Sequence, residues 1–263
     1  MLYYVSNGLK NNILWKLLTV RSSMGNAQTL KLDTELTELA SIAESFSYKP
    51  VIYTMLGRHS KEDFEYWFED LLGDNHICSS RLLNECYIKK LNRVNELQEL
   101  YLLSKEEPGE AGFSAVNPEY QDNSVEDLAS EENLYLAAYA NPSHTELLGF
   151  LVIGRHLLHE PPQYDYAEDL TYGINIEAFY TRKNARGRGV ATYLSVAFLN
   201  AISEDMRVLH ERLPEGCNAS IHFYSEWLSE GGARACLNIV NCVSLIKMMH
   251  SYKKFEISVD MGY

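Results

Sequence analysis
The segment TRKNARGRGVATYL, Thr181 to Leu194, gathers Arg182, Lys183, Arg186 and Arg188 around Gly187 and Gly189. It does so in a chain of 263 residues with a formal net charge of -13. A cation cluster on an acidic background calls for a local anionic ligand. Glycine lets a backbone approach such a ligand closely. The residues that follow the turn, Val190, Leu194, Ala197, Phe198 and Ala201, recur at helical spacing. A helix beginning there offers first-turn N–H groups that have no intrahelical partner, with the positive end of its dipole behind them. The chemistry this turn suits best is the binding of a group with several phosphates.

Three phosphate ligands compete. The phosphate-loop motif needs Gly-Lys-Ser/Thr after its last glycine, and here Val190 and Ala191 follow. The dinucleotide fingerprint needs three glycines and an acid about 20 residues on, and only two glycines are present. Coenzyme A is the third. Two further readings of the same residues stand beside these. One is a solvated turn in which glycine only bends the chain. The other is an RNA-binding RGRG segment, which the acid excess and the lack of repeated RGG units disfavour.

The elements around the turn follow from periodicity. CYIKKL (86–91) alternates as a strand, and RVNELQELYLLSKE (93–106) sets Val94, Leu97, Leu100, Tyr101 and Leu103 on a helical face. Lys105–Glu132 carries nine acids against one lysine, with Pro108, Gly109, Gly112 and Pro118, and reads as a loop with at most short helices. NLYLAAYA (133–140) and ELLGFLVIGR (146–155), joined by NPSHT, read as a hairpin. YGINIEAFYT (172–181) is a further strand. Plain alternation puts Ile174, Ile176, Ala178 and Tyr180 on one face and Asn175, Glu177 and Phe179 on the other. NASIHFYSEWL (218–228) and KFEISVDM (254–261) are strands flanking a long helix over 233–252. From residue 86 the order is β-α-loop-β-β-β-α-β-α-β.

With that order in hand, the chain resembles the GCN5-related N-acetyltransferase superfamily over roughly residues 86–263. The family motif Arg/Gln-x-x-Gly-x-Gly/Ala is met by Arg186, Gly189 and Ala191. CYIKKLNRVNELQELYLL is similar to the family's first strand and helix, 133–155 to its second and third strands, and IEAFYT to its fourth. The resemblance implies an α/β (α+β) fold: a mixed, mostly antiparallel central sheet flanked by helices, with its fourth and fifth strands splayed apart.

It also implies an activity, the transfer of an acetyl group from acetyl-CoA to an amine. By resemblance, the backbone N–H groups of Gly187, Arg188, Gly189, Val190 and Ala191 cradle the pyrophosphate, beside Arg186. Phe179, Tyr180 and Thr181 line the cofactor, and backbone groups of Phe179 and Thr181 hold the pantetheine. Asn241, with Asn238, contacts that arm. Glu177, nine residues before Arg186, stands where several small-molecule acetyltransferases of the family carry an acid, and is the candidate general base. A surface carboxylate is the alternative. Asn175 on its face could only orient substrate or water, since an amide is no base at neutral pH.

The general acid departs from the family pattern. The tyrosine expected seven residues after an asparagine falls, counting from Asn241, on Met248, which cannot donate a proton. Tyr252, one helical turn later, is the substitute expected to protonate the thiolate, with Tyr224 and His222 on the fifth strand behind it. This departure also motivates a second reading, a catalytically inactive coenzyme A-binding or interaction module of the same fold.

Composition sets the remaining bounds. Residues 1–85 form a small mixed accessory segment of unknown role. It has helical spacing over 32–46, strand formers over 49–56 and an amphipathic stretch over 60–72. No apolar run reaches membrane-span length and no signal peptide is read at the N-terminus. Five cysteines without a CxxC pair argue against a disulfide framework or a zinc site, and for a reducing cytoplasm. The acid excess argues against nucleic acid and is compatible with a cationic acceptor: a polyamine, an aminosugar or a lysine-bearing protein.

Overall fold
The computed structural model describes residues 26–51, 57–60, 83–106, 114–117, 125–159, 170–226 and 229–262. Its elements are α1 (Asn26–Glu44), β1 (Gly57–Ser60), β2 (Glu85–Lys90), α2 (Val94–Ser104), α3 (Val125–Ala129), β3 (Asn133–Tyr139), β4 (Leu147–Leu158), β5 (Leu170–Thr181), α4 (Val190–Arg212), β6 (Ala219–Glu226), α5 (Glu230–Met249) and β7 (Phe255–Gly262).

The strands form one seven-stranded sheet in sequence order, β1 to β7. Pairing is antiparallel from β1 to β5 and parallel from β5 to β7. Parallel neighbours need crossover connections, and α4 and α5 supply them. This is the mixed, mostly antiparallel sheet implied by the acetyltransferase resemblance, whose fourth and fifth strands correspond to β5 and β6. The splay is present too. Rungs between them run from Leu170↔Ala219 to Asn175↔Tyr224 and stop, although β5 continues to Thr181.

Each face of the sheet has its own core. One holds Leu136, Leu151, Ile153, Tyr172, Ile174 and Ile176 of the strands against Val190, Leu194, Phe198 and Ile202 of α4 and Ile239 and Val243 of α5. The other holds Ala137, Phe150, Val152, Ala178 and Tyr180 against Leu97, Leu100 and Leu103 of α2 and Leu128 of α3.

The strand alternation expected for 172–181 fails at one point, for a physical reason. The β4–β5 register shifts between Val152↔Ala178 and Ile153↔Ile176, so Glu177 is an extra residue in β5. One inserted residue reverses every face beyond it. Ile174 and Ile176 therefore join the α4 side, while Ala178 and Tyr180 join the α2 side and Phe179 packs on the α4 side.

The helix expected over 32–46 appears as α1, whose Leu39 and Ile42 enter the α4-side core. β1 pairs with β2 as the sheet's edge, Gly57 opposite Ile88 and Ser60 opposite Glu85. Of the strand formers at 49–56, residues 52–56 lie outside the described residues. So does the stretch expected to be helical over 60–72, apart from Ser60.

A buried polar cluster ties the segment after α1 to the sheet. Arg155 of β4 and Asp205 of α4 form an ion pair with both side chains 0% exposed. Tyr172 donates to Asp205 Oδ2 (2.6 Å), Lys49 N–H donates to Asp205 Oδ1 (2.7 Å), and Arg155 Nη2 donates to the carbonyls of Lys49 and Glu131. Burial pushes the Asp205 carboxyl upward, and Arg155, Tyr172 and the Lys49 N–H pull it back.

Candidate active site
At the end of β5 the chain makes a 3-10 turn over Lys183–Ala185 and then passes Gly187 and Gly189 into α4. Both glycines have positive φ, 71° and 83°. That left-handed region is costly for other residues, which explains why glycine occupies both positions. Gly189 is the residue preceding α4, and no side chain caps it there. The N–H groups of the first turn are thus left available to a ligand. A side chain at Gly187 would meet no protein atom within 4 Å, so the space beside it is open.

The turn's cations divide by what they already bind. Arg182 makes a bidentate pair with Glu106, at 2.8 and 3.0 Å. Arg186 donates from Nε to the Thr181 carbonyl (3.0 Å) and lies over the Tyr180 ring. Lys183 and Arg188 have exposed side chains. The turn is also latched from before β2: Leu83 N–H donates to the Arg188 carbonyl and Tyr193 Oη to the Leu83 carbonyl, both 3.1 Å.

Among the described residues no strand pairs with β5 on that side beyond the last β5–β6 rung, from Ile176 to Thr181, about 20 Å of strand, where Arg186 Nε already holds the Thr181 carbonyl. Arg182 N–H donates to the Leu148 carbonyl (2.8 Å). Antiparallel pairs alternate from there. Tyr180 and Ala178 bond across to Phe150 and Val152, while Phe179 and Thr181 turn their backbone groups away from β4, into the gap. These are the two residues that the resemblance places on the pantetheine. Tyr180 itself is buried on the α2 side, 3% exposed.

Glu177 sits on the bulge, at the mouth of the same gap. Its carboxylate accepts from Asn175 Nδ2 at 3.0 Å. Gly154 lies beneath it: a Cβ there would stand 3.8 Å from Glu177 Oε1. The side chain reaches solvent, but the protein around it desolvates the carboxyl and raises its pKa above the ordinary value. Burial thus moves this acid toward the range useful to a base.

The structure does not bring Tyr252 to this place. It is 9% exposed, stacks against His250 (5.2 Å between ring centroids) and packs at a tilt on His210 (4.8 Å), with Phe255 edge-on at 5.9 Å. His210 is at the C-terminal end of α4, about 30 Å along the helix from Val190. Burial raises the Tyr252 pKa, consistent with a packed phenol. Met248, at the spacing of the family tyrosine, is 68% exposed.

Asn241 is an exposed residue of α5, Asn238 a half-buried one. Both lie within about two turns of Cys236, whose Sγ is 3.7 Å from Ser225 Oγ on β6 just past the splay. α5 starts three residues earlier than its periodicity suggests. Ser229 caps it by accepting from Gly232 N–H (3.1 Å), and Gly231 and Gly232 hide that start.

Sequence reasoning passed over Gly149 of β4. A Cβ there would lie 2.5 Å from the Tyr180 carbonyl oxygen and 3.3 Å from Val190 Cγ1. Only glycine lets β4 press against the end of β5 and the start of α4. Its sole trace in the sequence is a glycine inside an apolar strand. Among the described residues there is no group of three metal-ligating side chains, and no helix is long and apolar enough to cross a membrane.

No family model and no curated protein matches the sequence. Among solved structures, the chain is similar to AAC(6')-Iy in complex with the bisubstrate analogue CoA-S-monomethyl-acetylneamine, at 16% identity and a TM-score of 0.32, over 68% of this chain and 96% of that one. It is also similar to AtaTR bound with AcCoA, at 17% identity and a TM-score of 0.29, over 59% of this chain and 84% of that one. Both superpositions are loose.

Proposed function
We propose that the chain is an acyltransferase that moves an acetyl group from acetyl-CoA to a primary amine. The observation that carries this reading is one run of backbone: the edge of β5 beyond its last rung with β6 leads from Glu177, past Phe179 and Thr181, to the N-terminus of α4, which no side chain caps. The residues fit a coenzyme A thioester, which would supply the activated acyl group. The first-turn N–H groups of α4 and the exposed Arg188 and Lys183 would hold its phosphates. The backbone of Phe179 and the Thr181 N–H would pair with its pantetheine amides, while the Thr181 carbonyl already holds Arg186 Nε.

Glu177 then accepts the proton that the ammonium form of the acceptor must lose, and Asn175 orients its carboxylate. The acceptor approaches from the α2 side of the sheet, the face to which Asn175 and Glu177 point. Spermidine, glucosamine and a lysine-containing peptide represent the cationic acceptors that suit this acidic chain. The test is thiol release from acetyl-CoA with each of them. Amine-dependent release supports the reading, whereas coenzyme A binding with no release from any amine supports an inactive binding module.

A further inference from the structure
We propose that Tyr224 is the proton donor to the departing thiolate, a role that rests on the acyltransferase reading above. Tyr224 forms the last rung of the β5–β6 ladder, opposite Asn175. It stands where the two strands part. Residues paired across a sheet share a face, with strands about 4.8 Å apart. The Tyr224 side chain therefore rises beside Asn175, whose amide holds the Glu177 carboxylate. Base and donor flank the mouth of one gap.

The phenol is accessible and aimed. Tyr224 is 41% exposed, and its hydroxyl donates to Glu226 Oε1 at 3.0 Å. Glu226 lies two residues further along β6, beyond the last rung, so the ring is turned along the strand toward the parting. The other tyrosines near this groove are committed elsewhere: Tyr172 to Asp205, Tyr193 to the Leu83 carbonyl, and Tyr180 to the α2-side core. The groups facing Tyr224 are Glu226 and His222 on its own strand, Asn175 and Glu177 on β5, and Asp260 opposite it on β7. The hydrogen bond to Glu226, together with the Glu226 and Asp260 charges, raises the phenol's pKa, which keeps it protonated at neutral pH.

The step balances within these groups. The amine nitrogen's lone pair attacks the thioester carbonyl carbon, forming the C–N bond. The C–S bond breaks and sulfur takes its electron pair. The Tyr224 hydroxyl proton passes to sulfur, giving the free thiol. Glu177 has by then taken the ammonium proton, and the second proton, shed by nitrogen as the amide forms, passes through water and restores the Tyr224 phenolate. Glu177, open to solvent, recovers its starting state by exchange with water.

The experiment compares wild type, Tyr224→Phe and Tyr252→Phe in steady-state thiol release from acetyl-CoA, with spermidine, glucosamine and the lysine peptide as acceptors. Cofactor affinity is measured separately by calorimetry. Tyr224→Phe is expected to lower kcat about 10²-fold or more, with the coenzyme A Kd, the amine KM and the melting temperature unchanged. Tyr252→Phe is expected to keep kcat. A Tyr224→Phe enzyme as fast as an active wild type overturns the assignment and leaves the acyltransferase reading standing. So does an equal loss in Tyr252→Phe. A wild type that binds coenzyme A and releases no thiol with any amine overturns both.

Discussion

The two halves of α4 do different work. At its N-terminus the helix meets two left-handed glycines, an uncapped first turn and an open strand edge. No side chain caps the first turn there, and Lys183 and Arg188 are exposed, while Arg182 and Arg186 already bond within the chain. Toward its C-terminus the polar groups bond largely within the chain: Asp205 takes Arg155, Tyr172 and the Lys49 N–H, and His210 packs at a tilt on Tyr252, although Arg155 Nε has no hydrogen-bond partner among the described residues. First-turn donors that no side chain caps can be met by water or by an anionic ligand. Satisfied and buried ones mark a place built to hold the fold. The contrast sets Tyr252 at the end that holds the fold, and it can be broken experimentally from either end.

The largest effect is expected at the ligand end. Glu177→Gln keeps shape and hydrogen bonding but removes basicity. Turnover should fall about 10²–10⁴-fold, the usual range for a general base, with cofactor affinity unchanged. Because burial raises this carboxyl, the acidic limb of the wild-type rate profile should lie above the ordinary glutamate value of about 4.3. Rate rises with pH through that limb as the base ionises. The variant should lack the limb, and its deficit should shrink at high pH, where more of the amine is already neutral. A pH series of initial rates reads both; full activity in the variant at neutral pH would remove Glu177 from the chemistry.

At the structural end, Asp205→Ala leaves Arg155 buried without its partner. Loss of one member of such a pair costs about 3–5 kcal/mol. Chemical denaturation should show that loss, while coenzyme A affinity of the folded fraction stays near wild type. Weakened binding without weakened stability would reverse the assignment of the two halves. Gly189→Val sharpens the same division. A β-branched residue at φ 83° is strained by about 1–2 kcal/mol, and its side chain crowds the first turn. Coenzyme A binding, followed by calorimetry, should fall much further than melting temperature. Equal losses in both would mean the turn is only structural. The smallest effect belongs to Tyr252→Phe. Its stacked ring stays, so stability should change by no more than about 1 kcal/mol, within the usual span of hydroxyl-to-hydrogen changes outside a bonded network.

Much of this division was legible before the fold was. The glycine turn announced itself because charge and backbone freedom are written in residue identity, and the strands from residue 86 onward showed as apolar or alternating runs between turn residues. Three things were not legible. The bulge at Glu177 is masked because Ala178, Phe179 and Tyr180 are all apolar, so the reversal of faces leaves no break in pattern. The far position of Tyr252 is masked because α5 begins at Glu230 with glycines at its second and third positions, and the chain leaves it through Ser251 at φ 54°, a left-handed terminator that is not glycine. Counting from Asn241 therefore gives no information about which end of the sheet the tyrosine meets. The Arg155–Asp205 pair spans 50 residues, and nothing local in either strand or helix names its partner.

The most direct test of the account is whether the open end of α4 binds coenzyme A. Thermal unfolding of the full chain with and without acetyl-CoA measures it without any knowledge of the acceptor. Ligand at 100 times its dissociation constant should add about 2.7 kcal/mol to the stability of the native state, and Gly189→Val should abolish that gain. An unfolding curve that millimolar acetyl-CoA leaves unmoved would contradict the central claim.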